Sequence, residues 1–138
     1  MKSKDYVEMV KESRTEHQEQ VEVNNYCTKN KILMFAIPNG GHRHKKTAVD
    51  LKAEGVKAGV PDMFIAVPNM YYSGLFIELK RRPKTLKSGK KSFTGITVSK
   101  TQQEWIDKLN SDGYKASVCY GADEAIEVIE DYLIRASR

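Results

Sequence analysis

Two strand-like runs separated by one turn constrain this chain most. The first is opened by Pro61-Asp62 and reads M-F-I-A-V over residues 63 to 67 before Pro68 ends it. The second, L-F-I-E-L-K-R, fills residues 75 to 81. The intervening Asn69 to Gly74 has turn chemistry, so an antiparallel hairpin is expected. With the turn centred near Met70, residues whose numbers sum to about 140 stand opposite each other. Asp62 then faces Glu78 and Phe64 faces Phe76, with opposed Cβ atoms about 5 Å apart. Alternation puts Glu78 and Lys80 on one face of their strand.

Two carboxylates at that distance repel unless a proton or a cation lies between them. A hard divalent ion suits them: Mg²⁺ accepts carboxylate and water ligands in an octahedron, and Mn²⁺ tolerates the same set. Such an ion polarises a phosphodiester and lowers the pKa of a bound water. Lys80 would either orient that water or stabilise charge on the phosphate. Glu16 offers a third carboxylate from the first helix, Gln20 lies one turn further on its face, and Gln102 sits on a later helix. A plainer alternative stays open, in which Asp62 caps a turn and E-L-K is a solvated face with an ion pair. Against it, Phe76, Ile77 and Leu79 surround Glu78, and an unpaired buried carboxylate is costly.

Elsewhere, residues 5 to 28 look helical, with Ser13 or Thr15 able to cap a helix start and the segment before it a loose arm or separate turn. Residues 32 to 37 read as a buried strand, and 47 to 54 as a short helix stopped by Gly55. Ser99 caps a helix over roughly 100 to 110, with Gln102 three residues in. Residues 114 to 120 form the last strand. Residues 122 to 135 form a closing helix with Ala125, Ile126, Ile129 and Leu133 inward. The expected order is α-β-α-β-β-α-β-α, an α/β domain with a mixed sheet flanked by helices. At 138 residues, one domain suffices.

The formal net charge is +5, and its distribution matters more than its size. Lys80 to Lys91 carries seven positive charges and no acid. A second basic group is Arg43, His44, Lys45 and Lys46, next to an Asn39-Gly40-Gly41 loop whose glycines permit close approach to phosphate. Two such clusters point to a polyanion, with Arg43, His44, Lys45, Arg81, Arg82, Lys84, Lys87, Lys90 and Lys91 as phosphate contacts and Gln20 and Asn39 as further DNA contacts. The segment 83 to 97 is expected to be a basic, mobile surface loop. Cys27 and Cys119 lack metal-ligand spacing and suit buried thiols. No stretch has the length of a membrane span, and the N-terminus lacks a signal peptide's apolar core, so an intracellular, cytoplasmic setting is expected.

Taken in order, T-E-H-Q-E-Q, F-A-I-P-N-G-G-H-R, L-K-A-E-G-V-K-A-G-V-P-D, G-L-F-I-E-L-K-R, S-K-T-Q-Q-E-W and G-Y-K-A-S-V-C-Y-G-A-D-E-A cover most of the chain. This set resembles the VRR-NUC domain family of the PD-(D/E)XK nuclease superfamily, especially its small stand-alone bacteriophage members. The resemblance implies a restriction-endonuclease-like fold, a single nuclease domain over 1 to 138, and Mg²⁺- or Mn²⁺-dependent hydrolysis of DNA phosphodiesters. It implies metal binding by Asp62, Glu78 and the Leu79 backbone carbonyl, with Glu16 a further candidate, and places Lys80 and Gln102 in the catalytic set. It further implies a homodimer resolving four-way (Holliday) junctions, in a host cell's cytoplasm if phage-encoded. Three other readings remain beside that one: a flap or nicking endonuclease, an end-degrading nuclease, and a non-catalytic DNA-binding module.

Overall fold

A computed structural model describes residues 3–38 and 45–136. Their elements are α1 (Ser3–Glu12), α2 (Glu16–Lys29), β1 (Met34–Ala36), α3 (Lys45–Glu54), β2 (Met63–Ile65), β3 (Leu75–Lys80), β4 (Lys84–Thr85), β5 (Lys91–Ser92), α4 (Lys100–Ser111), β6 (Lys115–Tyr120) and α5 (Ala122–Ala136). The mixed α/β class holds, but the order differs from the expected one at two places. The first is the N-terminus. Thr15 starts a new helix through a capping box, accepting from the Gln18 N–H while the Gln18 side chain accepts from the Thr15 N–H. Its start separates α1 from α2, and α1 is a helix where a loose arm or turn was one expectation.

The second difference lies in the basic segment 83 to 97, which contains a two-stranded ribbon. Lys84 pairs with Ser92 and Thr85 with Lys91. Gly89 takes the left-handed conformation (φ 85°) that its turn requires. Local hydrophobic pattern gives no hint of so short a lysine-rich ribbon. Contacts from α1 reinforce it, because Glu12 accepts from the Thr85 N–H at 2.6 Å.

The main sheet runs β1-β2-β3-β6. Its antiparallel hairpin has the expected register, with Met63 opposite Ile77 and Phe64 opposite Phe76. Strand β6 returns parallel to β3 after the α4 crossover, with Glu78 beside Val118. On one face Leu75, Ile77 and Leu79 join Met63, Ile65 and Cys119 in a core closed by Val23 and Cys27 of α2 and by Ala122, Ala125, Ile129 and Tyr132 of α5. Thus Tyr132 belongs to the inward stripe of α5, whereas Ile126 is only half-buried. On the other face Phe64 stacks against Phe76, with ring centroids 4.4 Å apart. Both cysteines are free and buried.

Strand β1 corrects another expectation. It is shorter than the apolar run 32 to 37 and lies at the edge of the sheet, so Leu33 and Phe35 are 63% and 51% exposed. At the opposite edge, Asn110 of α4 satisfies the outward backbone of Ala116, accepting from its N–H at 2.9 Å and donating to its carbonyl at 3.2 Å. Such side-chain cover blunts an open strand edge. Among the described residues no helix is long and apolar enough to cross a membrane.

Candidate active site

Pro61 is fully buried and introduces Asp62 one residue before β2 begins. Continuing the register by one residue sets Asp62 against Glu78. The Asp62 backbone carbonyl accepts from the Ile37 N–H at 2.7 Å, fixing the strand entry. Its side-chain Oδ2 accepts from the Leu79 N–H, also at 2.7 Å. Backbone groups alternate in direction along a strand, so the Leu79 carbonyl faces the same side as that N–H. The chain thereby converges three oxygen-bearing groups at one end of the hairpin.

Glu78 is only 2% exposed. Its Oε1 accepts from Gln102 Nε2 at 2.8 Å, and Lys80 Nζ stands 3.7 Å from the same oxygen. Lys80 in turn donates to Gln102 Oε1 at 2.9 Å. Gln102 can do this because α4 begins there: Ser99 is the N-cap, and the same Gln102 Oε1 accepts from the Ser99 N–H. One side chain therefore starts the helix and joins the acid to the ammonium.

Burial, followed by the charge of Asp62, pushes the Glu78 carboxyl up to about 8. Lys80 opposes the rise and Glu16 adds to it. Asp62 is also raised, by burial, although the Leu79 N–H and Lys80 work against that. The pair therefore holds a proton in the absence of a cation. Glu16, the first residue of α2, is raised by burial and by Asp62, with Lys80 and Arg81 opposing. It lies within electrostatic reach of the pair without joining it in a metal-holding group. Among the described residues, no three His, Cys, Asp or Glu side chains form one. A buried carboxylate, a half-buried one and a carbonyl still fit a hard divalent ion, whose remaining positions water would fill.

The other candidate residues divide sharply. Gln20 is half-buried on α2, with no hydrogen bond to the acid pair among the described residues. Arg81 donates Nε–H to the Arg14 carbonyl at 3.2 Å. Arg82 turns to a different task, reaching both oxygens of Glu19 at 2.8 and 3.2 Å and Asp123 at 3.0 Å. Its guanidinium is committed to acids of α2 and α5 rather than offered to an external phosphate. Lys84, Lys87, Lys90 and Lys91 are exposed on the ribbon, and Lys91 also donates to Thr85 Oγ1 at 2.7 Å. Asn39, Arg43 and His44 lie outside the described residues, and Lys45 is described only as the first residue of α3.

Glu19 is the residue that sequence reading passed over. It is fully buried, yet Arg82 satisfies it bidentately, and Arg14 adds a 3.5 Å contact. Lys11 and Arg82 share Asp123, while Arg14 also pairs with Glu22. Gly121 (φ 94°) makes room for this network, since a Cβ there would lie 2.6 Å from the Arg82 stem and 2.9 Å from Glu19. The available signal was the spacing Glu19, Val23, Cys27, which repeats every four residues along the buried face of α2.

The VRR-NUC domain family model matches residues 2–123. A solved structure described as a "VRR_NUC domain protein" is 28% identical, covers 90% of this chain and 92% of its own, and superposes with a TM-score of 0.72. No curated protein matches the chain.

Proposed function

The chain belongs to the VRR-NUC domain family, and from that premise we propose that it is a structure-selective DNA endonuclease acting at Asp62, Glu78 and Lys80. Family membership carries nuclease function in general, and with it dependence on a divalent cation. The observation that supports this site is the raised carboxyl of buried Glu78 opposite Asp62, with Lys80 tethered beside it by Gln102. An ordinary structural carboxylate is buried with a full cationic partner, whereas this one is held next to another acid.

In this reading Asp62, Glu78 and the Leu79 carbonyl would hold Mg²⁺ or Mn²⁺, which would stabilise charge on the phosphate and lower the pKa of a water. The Leu79 N–H fixes the Asp62 carboxylate by binding one of its oxygens. Gln102 fixes Glu78 and Lys80 together, so that their relative position is set before substrate arrives. The Lys80 ammonium is then placed to orient the attacking water or to stabilise charge on the phosphate. Glu16 biases the same region electrostatically and is the candidate for a further contact to the ion through water. Exposed Lys84, Lys87, Lys90 and Lys91 give the DNA a cationic approach.

Four-way junctions are the proposed substrate, cut symmetrically by a homodimer. Symmetric cleavage needs two sites at matched spacing, which a two-fold dimer supplies. The test is a panel of labelled duplex, flap, fork and four-way DNA, incubated with Mg²⁺, Mn²⁺ or chelator. We expect paired cuts in the four-way DNA that need the metal, and a loss of more than about 10³-fold in Glu78→Ala. Full activity in purified Glu78→Ala would remove the site assignment. Equal cutting of plain duplex would remove structure selectivity, and preference for the flap would move the enzyme to the flap class.

A further inference from the structure

We propose that Arg81 is the floor of a pocket for one backbone phosphate of the nucleic-acid strand, beside the phosphate that is cut. The proposal rests on the nuclease reading above and adds a specific subsite to it. A cleft of about 250 Å³ opens next to the end of β3, lined by Arg81, Arg82, Lys84, Ser92, Thr94 and Gly95, among others. It is built where the catalytic strand meets the β4–β5 ribbon.

The two adjacent arginines do different things there. Arg82 lends the cleft its stem, but its guanidinium is consumed by Glu19 and Asp123. Arg81 uses only Nε, donating to the Arg14 carbonyl. Its two terminal nitrogens have no protein acceptor among the described residues. A guanidinium anchored through one N–H and free at the other end is a pre-organised fork, matched to two phosphate oxygens. Lys84 adds a second positive charge from the ribbon, and it too lacks a described acidic partner. In the lining, the Ser92 hydroxyl donates to Thr94 Oγ1 at 3.2 Å, which leaves the Thr94 hydroxyl proton to donate to an anion. Nothing crowds the space that a side chain on Gly95 would enter, so the wall stays open at that point.

The cleft is also in register with the chemistry. Arg81 directly follows Lys80 in the chain, so their Cα atoms are one peptide unit apart. The charge of Arg81 is felt by Glu16, which in turn feels Asp62 and Lys80. Arg81 and the acid pair thus act on the same Glu16, which sets the fork beside the place proposed for the reacting phosphate. The ribbon is held for this purpose by α1, since Glu12 binds Thr85 and Lys91.

The test measures binding and cleavage separately, using the full chain. Binding of a labelled oligonucleotide in chelator is followed over a range of salt for the unaltered protein, Arg81→Gln and Arg81→Lys. Circular dichroism confirms that each variant is folded. Arg81→Gln should weaken binding roughly 10- to 100-fold and lower the salt slope by about 0.9. Arg81→Lys should restore the slope without the full affinity, because it returns the charge and not the fork. Single methylphosphonates are then placed at each phosphate around the cut. One neighbour of the cut phosphate should lose affinity when neutralised in the unaltered protein, but not in Arg81→Gln. An unchanged slope in folded Arg81→Gln, or equal methylphosphonate effects in both proteins, overturns the pocket. Competition by millimolar inorganic phosphate that is as strong in Arg81→Gln as in the unaltered chain would also overturn it. Absence of metal-dependent cleavage in the unaltered protein would instead overturn the nuclease reading, and the slope would still report on the pocket.

Discussion

Glu78 and Glu19 are both buried acids near the end of β3, and they are buried on opposite terms. Glu19, on the α2 side, receives an arginine fork from Arg82 and a further contact from Arg14. Glu78, on the α4 side, faces another acid and receives an amide from Gln102, with its nearest ammonium at 3.7 Å. The first arrangement is complete within the protein. The second is short of positive charge, and Glu78 is correspondingly raised to about 8. Burial of an acid alone therefore does not distinguish structure from chemistry; the completeness of its cationic shell does.

Removing each acid should break the comparison in opposite directions. Glu19→Ala takes away the buried partner of half-buried Arg82 and leaves it only the exposed Asp123, and should cost roughly 3 kcal/mol of folding stability. Chemical denaturation reads this directly, and Glu78→Ala measured beside it should lose none. A stable Glu19→Ala protein would show that the Glu19–Arg82 pair is not a structural anchor.

Gln102 sharpens the contrast, because it holds the site without being charged. Gln102→Ala should lower cleavage by roughly 10- to 100-fold, as expected for a group that orients others. It should also cost about 1 kcal/mol through damage to the start of α4. Gln102→Glu keeps the cap acceptor yet adds a third negative charge beside Glu78, so it should recover stability and not rate. Equal recovery of both would place Gln102 in the helix cap alone.

The smallest effect is a pair of opposed pH dependences, measured without divalent ions. Glu78 has a folded value of about 8, above the unfolded carboxyl range near 4.3. The folded chain therefore takes up a proton. Its contribution is full below about 4.3 and is lost as pH rises through about 8. Asp123 is lowered by Arg82 and then by Lys11, so its contribution is present above the usual carboxylate range and lost as pH falls through its folded value. Denaturation from pH 3 to 9 should show both slopes. Glu78→Gln should sharply reduce the alkaline slope and spare the acid one, Asp62 and Glu16 keeping a smaller part of it; an unchanged alkaline slope would assign it to another group.

These differences also explain what could be read from sequence. The Asp62–Glu78 pairing was legible because one turn of known length sets the register of a hairpin, and that register holds through Phe64–Phe76. The capping role of Gln102 was legible because Ser99 is three residues away. Its bonds to Glu78 and Lys80 were not, since they depend on how α4 crosses the sheet. Glu19 stayed hidden for the same reason: its partner Arg82 is 63 residues distant. The helical pattern over 5 to 28 was legible but its division at the Thr15 cap stayed one of two options, and the β4–β5 ribbon was missed because two-residue strands have no periodicity to detect.

The most direct test of the central claim is Mn²⁺ binding by the full chain without DNA, followed by calorimetry at pH 8. The unaltered protein should bind Mn²⁺, while Asp62→Ala and Glu78→Ala should each lose that binding yet remain folded. Undiminished Mn²⁺ binding in both variants would contradict a metal site at the acid pair.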